Sequence, residues 1–574
     1  MKTLLSRFLP AARTAAPAGD GIVVEGGAQR SGGRARQRIV MTMAVFVAIY
    51  GVIGGRMALL ALQDPEDSSR VAAARQQAAR PDIVDRNGDV MATDITTASL
   101  FAEPRRIVDA DEAVEQLTSV LPDLNYEQTY RRLKSDAGFV WLKRELTPMQ
   151  KNRIHQLGIP GIGFRAEKRR FYPGGPTASH ILGLTNIDNQ GIAGIEKFVD
   201  SQGLADLRMA GLAAEQDLAP FKLSIDQRIQ HIMRDELADA METYQAIAAG
   251  AVILDVHTGE IVAMSSLPDF NPNNPFNAND KDRLNRMSAG VFEMGSTFKA
   301  FTTAMALDSG KVRISDRFDA SRPIQIARFT INDFHGKRRV LSVPEIFIYS
   351  SNIGTAKMAD AVGTENHQAF LHKIGLLDRI SFELPEIASP TEPREWKKLN
   401  SITISFGHGV ATTPLQTAVA AAALVNGGKL IPPTLQPRSR EEADQLAQTV
   451  ISKRTSDAMR YLFRLNVEKG SGKRAEVPGY FVGGKTGTAE KVVHGKYSAN
   501  KRFNAFLSAF PMNDPKYVVL VILDEPKAAK EGGGATAGSN AAPTVGNIIR
   551  RSAALLGVKP EFGHESDALL AAAR

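Results

Sequence analysis

Apolar positions along the chain fall into three regimes with different spacing. Ile39 to Gly55 is a nearly unbroken apolar run, and Met57 to Leu62 carries it past Arg56. Together they approach the roughly 20 residues that span a bilayer. From Arg80 to about residue 220 the text alternates short β-like runs, turn signals such as Arg86-Asn87-Gly88, and helical stretches such as Asp111 to Leu121. A longer helical period follows over Asp226 to Tyr244. Ala251–Asp255 and Glu260–Ser265 then flank His257-Thr258-Gly259 as an antiparallel hairpin. A second strand pair, Phe503–Phe510 and Tyr517–Leu523, comes late in the chain, with helical and loop patterns between the two pairs. Strands at both ends of a helical stretch predict an antiparallel sheet assembled from distant segments, an α+β fold. Gly532–Asn540 reads as a flexible loop and Thr544–Leu556 as a terminal helix following Pro543.

Charge gives the first apolar segment a direction. Arg30, Arg34, Arg36 and Arg38 precede it, whereas Asp64, Glu66 and Asp67 follow. The positive-inside bias places the N-terminus in the cytoplasm and the remainder outside, with Arg56 snorkelling to the outer headgroups. A cleaved signal peptide fits less well, because a Gly/Ala/Arg-rich tail precedes the apolar stretch. The expected layout is a disordered tail over 1–38, a transmembrane helix over 39–62, an extended domain over 63–220, a second domain over 221–556 and a C-terminal tail over 557–574. A length of 574 residues accommodates several folded units, and a net charge of +8 is spread without any nucleic-acid-binding motif. No nucleic-acid partner is expected. The absence of cysteine removes disulfides, thiolate metal sites and a cysteine nucleophile.

Three short motifs carry candidate chemistry. In Gly295-Ser296-Thr297-Phe298-Lys299 a serine and a lysine stand three apart ahead of the apolar stretch Ala300–Leu307. On a helix such a pair shares one face, about 5–6 Å apart at Cβ, so the amine can reach the hydroxyl. A helix start at Ser296 favours negative charge on its oxygen and leaves its N–H for an oxyanion. Lys299 acts as a base only if burial and a second cation lower its pKa. Ser350-Ser351-Asn352 supplies a second hydroxyl to relay a proton and an amide to hold a carbonyl. Lys485-Thr486-Gly487-Thr488, after Tyr480–Gly484, reads as a strand that a peptide substrate can extend. Lys485 offers the second cation, and the Thr488 N–H a second oxyanion donor. Each motif alone is common; the ordered trio is the pattern of penicillin-recognising serine enzymes.

With this trio the chain resembles the class B penicillin-binding proteins, from the apolar segment to about residue 550. Asp85-Arg86-Asn87-Gly88 with Met91-Ala92, Arg170-Phe171-Tyr172-Pro173-Gly174, His180, Gly183 and Gly191–Glu196 look like the family's pedestal motifs, though Pro81 stands where glycine is usual. Asn285-Arg286, Phe292-Glu293, Ser405–Gly409 and Thr413–Gln416 match its catalytic surroundings, with Met294 where proline is common. The resemblance implies a penicillin-binding transpeptidase fold on a non-catalytic pedestal, the dimerisation domain of these proteins. It implies a D,D-transpeptidase that cross-links peptidoglycan stem peptides through Ser296, with Lys299, Ser350, Asn352 and Lys485 catalytic and Thr486, Gly487 and Thr488 binding substrate. No metal or cofactor is required. β-Lactam antibiotics would acylate the same serine. The short pedestal and the Gly55–Leu60 anchor end look more like the septal, cell-division type than the elongation type, implying a polytopic glycosyltransferase and other division proteins as partners. A serine β-lactamase or β-lactam sensor and an inactive division scaffold are the rivals. Glu293 is read as structural, and His408 is not needed as a base beside Lys299.

Overall fold

The computed structural model describes residues 28–61, 80–202, 219–326, 329–493, 496–529, 534–562 and 569. The chain divides into two compact units, Met1–Ala73 and Ala74–Arg574. In the first, helix α1 (Ala28–Ala61) covers the expected apolar segment and starts ahead of it, so Ala28 to Arg38 is helical where a disordered tail was expected. The rest of that tail, residues 1–27, and the terminal Ala-rich stretch apart from 569 lie outside the described residues. Val40, Phe46, Val47, Ile49 and Val52 on α1 are exposed. Among the described residues, no helix is long and apolar enough to cross a membrane.

The second unit begins with a five-stranded sheet of short and long strands. β1 (Ile83–Val84) pairs with β2 (Val90–Ala102), and β2 also pairs with β3 (Val140–Leu146) and β4 (Ile162–Phe171), all antiparallel. The helix expected near residue 111 spans Ala110–Val120, and Asp109 caps it by accepting from Asp111 N–H and Glu112 N–H. Its Val114 and Leu117 pack with Leu100 and Leu142 in a small core of their own. Beneath that core lies a buried ionic cluster. Arg170 donates to Glu196 at 2.6 Å, to Asp94 at 3.1 Å and to the Pro81 carbonyl at 2.9 Å. Arg80 holds the other Glu196 oxygen at 2.9 Å.

This pedestal is stitched to the second half of the unit. β1 runs parallel to β5 (Phe221–Lys222). Asn273 accepts from Tyr172 N–H and donates to the Tyr172 carbonyl. Arg86 pairs with Glu260 at 2.8 Å.

Helix α2 (Gln227–Tyr244), capped by Asp226, opens the second half where sequence placed it. The predicted hairpin is β6 (Ala248–Asp255) and β7 (Ile261–Leu267). It joins β8 (Gly483–Val493), β9 (Lys496–Phe510) and β10 (Tyr517–Asp524) in one antiparallel sheet ordered β8-β9-β10-β6-β7. Both faces are covered, which explains why β10 is buried throughout and reads as an unbroken apolar run. One face meets α3 (Phe298–Asp308), α4 (Pro414–Val425) and α5 (Lys453–Lys469) through residues such as Phe298, Phe301, Leu415 and Leu462. The other meets α2 and α6 (Ala541–Ser552) through Ile229, Met233, Val545 and Ile549. α6 starts before Pro543 rather than after it. The first turn needs no backbone N–H from proline, so the helix absorbs it there.

Candidate active site

β8 is an edge strand, and its end of the sheet faces the start of α3. Ser296 sits in a single 3-10 turn, Gly295–Thr297, that feeds α3, so the regular helix begins at Phe298 rather than at the serine. The Thr297 hydroxyl donates to the Met294 carbonyl at 2.9 Å and pins this turn. Three glycines bring its neighbours into contact. A Cβ on Gly487 would lie 2.4 Å from the Met294 carbonyl oxygen, and one on Gly407 would lie 2.0 Å from that of Gly295. Gly295 itself has φ +53° and faces the Thr488 carbonyl. Only a bare backbone fits at these points. Gly487→Ala is expected to shift the serine turn against the strand and slow acylation about 10²-fold, a cost typical of ångström-scale misplacement. Stopped-flow acylation by a chromogenic β-lactam measures it.

The two motif lysines are fully inside the protein: Lys299 is 2% exposed and Lys485 0%. Both point at Ser350. Lys299 Nζ donates to the Ser350 carbonyl at 2.5 Å and lies 3.0 Å from its hydroxyl, while Lys485 Nζ lies 2.9 Å from the same hydroxyl. Ser350 reaches this position as the left-handed cap of helix Val343–Tyr349, with φ +55°. Among the described residues the Ser296 hydroxyl makes no hydrogen bond. The Lys299 amine spends its hydrogen bonds on Ser350. A buried amine needs acceptors, and Ser350 offers it two.

Burial pushes the Lys299 pKa well below the ordinary lysine value, the nearby Lys485 charge pushes it further, and Asp333 opposes both. Burial alone brings Lys485 to about 7. An amine that is neutral near physiological pH can accept a proton, which an ordinary lysine cannot. The arrangement can thus shuttle a proton through the Ser350 hydroxyl between two nitrogens beside an unencumbered serine.

The remaining motif residues flank this centre. Asn352, the first residue of helix Asn352–Val362, donates to the Asn332 carbonyl at 2.9 Å and is half-buried. Thr486 is tied to the Ser471 hydroxyl at 2.7 Å. The half-buried Thr488 accepts at its hydroxyl from Ala537 N–H at 3.1 Å. Sequence reasoning missed Asp333, whose carboxylate accepts from the Ser351 hydroxyl at 2.8 Å and from Ile353 N–H at 2.9 Å and so fixes the second motif. Nothing in its local sequence marks it, because its partners lie 18 and 20 residues away. No group of residues fitting a metal ion occurs among the described residues.

Against known proteins, the penicillin-binding protein transpeptidase domain family matches residues 249–550. The penicillin-binding protein dimerisation domain family matches residues 75–202. The chain belongs to the class B penicillin-binding proteins. It is 40% identical over 496 residues to the probable peptidoglycan D,D-transpeptidase FtsI of Caulobacter vibrioides, covering 84% of this chain and 82% of that one. To the peptidoglycan D,D-transpeptidase FtsI of Escherichia coli it is 29% identical over 537 residues, covering 86% and 88%. A crystal structure of a peptidoglycan synthetase from Bifidobacterium adolescentis shares the fold, with TM-score 0.65 at 20% identity over 85% of this chain and 97% of that one. The penicillin-binding transpeptidase fold expected from the trio is therefore present, as is the dimerisation domain before it.

Proposed function

We propose that this chain is a peptidoglycan D,D-transpeptidase of septal wall synthesis, acting through a Ser296 acyl-enzyme. The observation that carries this reading is the convergence of two buried, pKa-lowered lysines on the Ser350 hydroxyl beside Ser296. The FtsI names of its relatives in Caulobacter vibrioides and Escherichia coli support the septal assignment.

In the reaction, Ser296 attacks the carbonyl of the terminal D-Ala-D-Ala of a stem peptide and gives its proton to Lys299. The Ser296 and Thr488 N–H groups hold the oxyanion. The proton passes through Ser350 to the departing D-alanine, while Lys485 and Thr486 face the substrate carboxylate and Asn352 the peptide. An amine of a neighbouring stem peptide then attacks the ester and completes the cross-link. β-Lactams acylate the same serine as strained substrate mimics.

Residues 63–220 serve as the non-catalytic pedestal and 221–556 as the transpeptidase domain. The apolar run over Ile39–Leu62 and its basic N-terminal flank support a single-pass anchor in the cytoplasmic membrane with the catalytic domain outside. A polytopic glycosyltransferase and other division proteins are the partners this role requires.

Incubation with penicillin followed by peptide mapping tests the reading. The expected result is a stable adduct on the peptide carrying Ser296. An unlabelled protein would support the scaffold alternative, and rapid loss of the adduct would make the protein a β-lactamase.

A further inference from the structure

Beside the nucleophile turn lies a carboxylate that the reaction above does not use. Glu293 stands three residues before Ser296. One of its oxygens accepts from Gly409 N–H at 2.8 Å and from the Tyr497 hydroxyl at 3.1 Å. The other, Oε2, is buried and has no hydrogen-bond partner among the described residues. No cation among the described residues pairs with it. Gly409 is two residues from Gly407, whose backbone presses on Gly295, so the chain and the packed loop both hold this carboxylate against the serine turn.

A buried carboxylate oxygen with no hydrogen bond and no counter-ion is costly. Among the described residues Glu167 also has an idle oxygen, but it pairs with Arg144 at 3.0 Å, and Glu196 is clamped by two arginines. The neighbours of Glu293 supply no compensating charge either. Burial and the Lys299 charge push the His408 pKa below the ordinary imidazole value, and its ring stands edge-on to Tyr497 at 5.5 Å. Burial raises the Glu293 pKa, which makes it a better proton acceptor than an exposed carboxylate.

We propose that Glu293 binds the acceptor amine in its ammonium form and removes the proton that prevents it from attacking. This inference rests on the transpeptidase reading above and assigns its second substrate a site. Tyr497, half-exposed, covers the carboxylate until the ammonium displaces its hydroxyl. The proton balance is complete. An acceptor R–NH3+ gives one proton to Glu293 and becomes R–NH2. Its lone pair forms the C–N bond to the acyl carbon of the Ser296 ester, and the second proton passes through Ser350 to the Lys299 amine. The C–O bond to Ser296 breaks, Lys299 returns that proton to the serine oxygen, and Glu293 releases its own to solvent.

Glu293→Gln tests this with two acceptors competing for a small thioester donor on the full chain. A D-amino acid arrives as an ammonium, whereas hydroxylamine is neutral at neutral pH. Transfer to the D-amino acid is expected to fall about 10²-fold, with hydroxylamine transfer within about threefold of wild type. A purely structural role would slow both acceptors equally, and that result, or no change in either, overturns the proposal. Tyr497→Phe provides a second variant: it removes the hydroxyl the ammonium must displace, so KM for the D-amino acid falls while that for hydroxylamine stays. An unchanged KM ratio also overturns it. A wild type that takes no acyl group from the donor would instead refute the transpeptidase reading itself.

Discussion

Lys299→Met is expected to lower the rate of penicillin acylation by about 10²–10⁴-fold, the range for removing a positioned general base. Methionine fills similar volume in the apolar surroundings of α3, so the fold tolerates it. What disappears is the amine that lies 2.5 Å from the Ser350 carbonyl and 3.0 Å from its hydroxyl. The companion change, Lys485→Met, makes a prediction about pH. Lys485 is one of the two causes that depress Lys299, so removing its charge raises the Lys299 pKa. Protonated Lys299 is inactive, and the acidic limb of the acylation profile therefore moves to higher pH. Acylation rates measured across pH for both variants check this; a limb that stays in place would free Lys485 of any electrostatic role.

Arg170→Met should destabilise the pedestal by roughly 3–5 kcal/mol, the usual cost of breaking a buried ion pair from one side. Arg170 is 3% exposed, and its guanidinium binds Glu196, Asp94 and the Pro81 carbonyl at once. Removing it leaves Glu196 with Arg80 alone and Asp94 without its arginine. Hydrogen exchange should accelerate in β2, β4 and helix Gly194–Ser201, with a lower first unfolding transition by calorimetry. Exchange in α6 should change little, because its core contains no residue of β2, β4 or helix Gly194–Ser201. Replacing Asp94 and Glu196 together with apolar residues in the Arg170→Met background should recover part of the loss.

Local elements were readable where period and caps agreed. Helix α2 announced itself by a sustained helical period, and the β6–β7 hairpin by its Thr-Gly turn. β9 was read short, because only Phe503–Phe510 carries an apolar run, whereas the strand begins at Lys496 in polar text. β8 pairs with that polar stretch through Lys491 and Val492, so hydrogen bonding to a neighbour, not hydropathy, extends the strand. The site was legible as motifs and illegible as geometry. Asp333, Glu293 with Tyr497, and the Gly407–Gly295 contact join residues 18 to 204 positions apart, and no local pattern records such pairings.

By itself the sequence determined the reagents: a serine, two lysines, a relay hydroxyl and the glycines between them, in an order that only one fold family uses. It also determined the apolar periods from which the cores are built. Tertiary structure decided what those reagents are. Burial on both sides of the sheet strips the lysines of water and lowers their pKa, and the αL cap at Ser350 turns one hydroxyl toward both amines. It also set the Lys299 amine against Ser350 and left Glu293 with an idle oxygen. Charge state and direction depend on what surrounds a side chain in space, and the surroundings come from segments far apart in the chain.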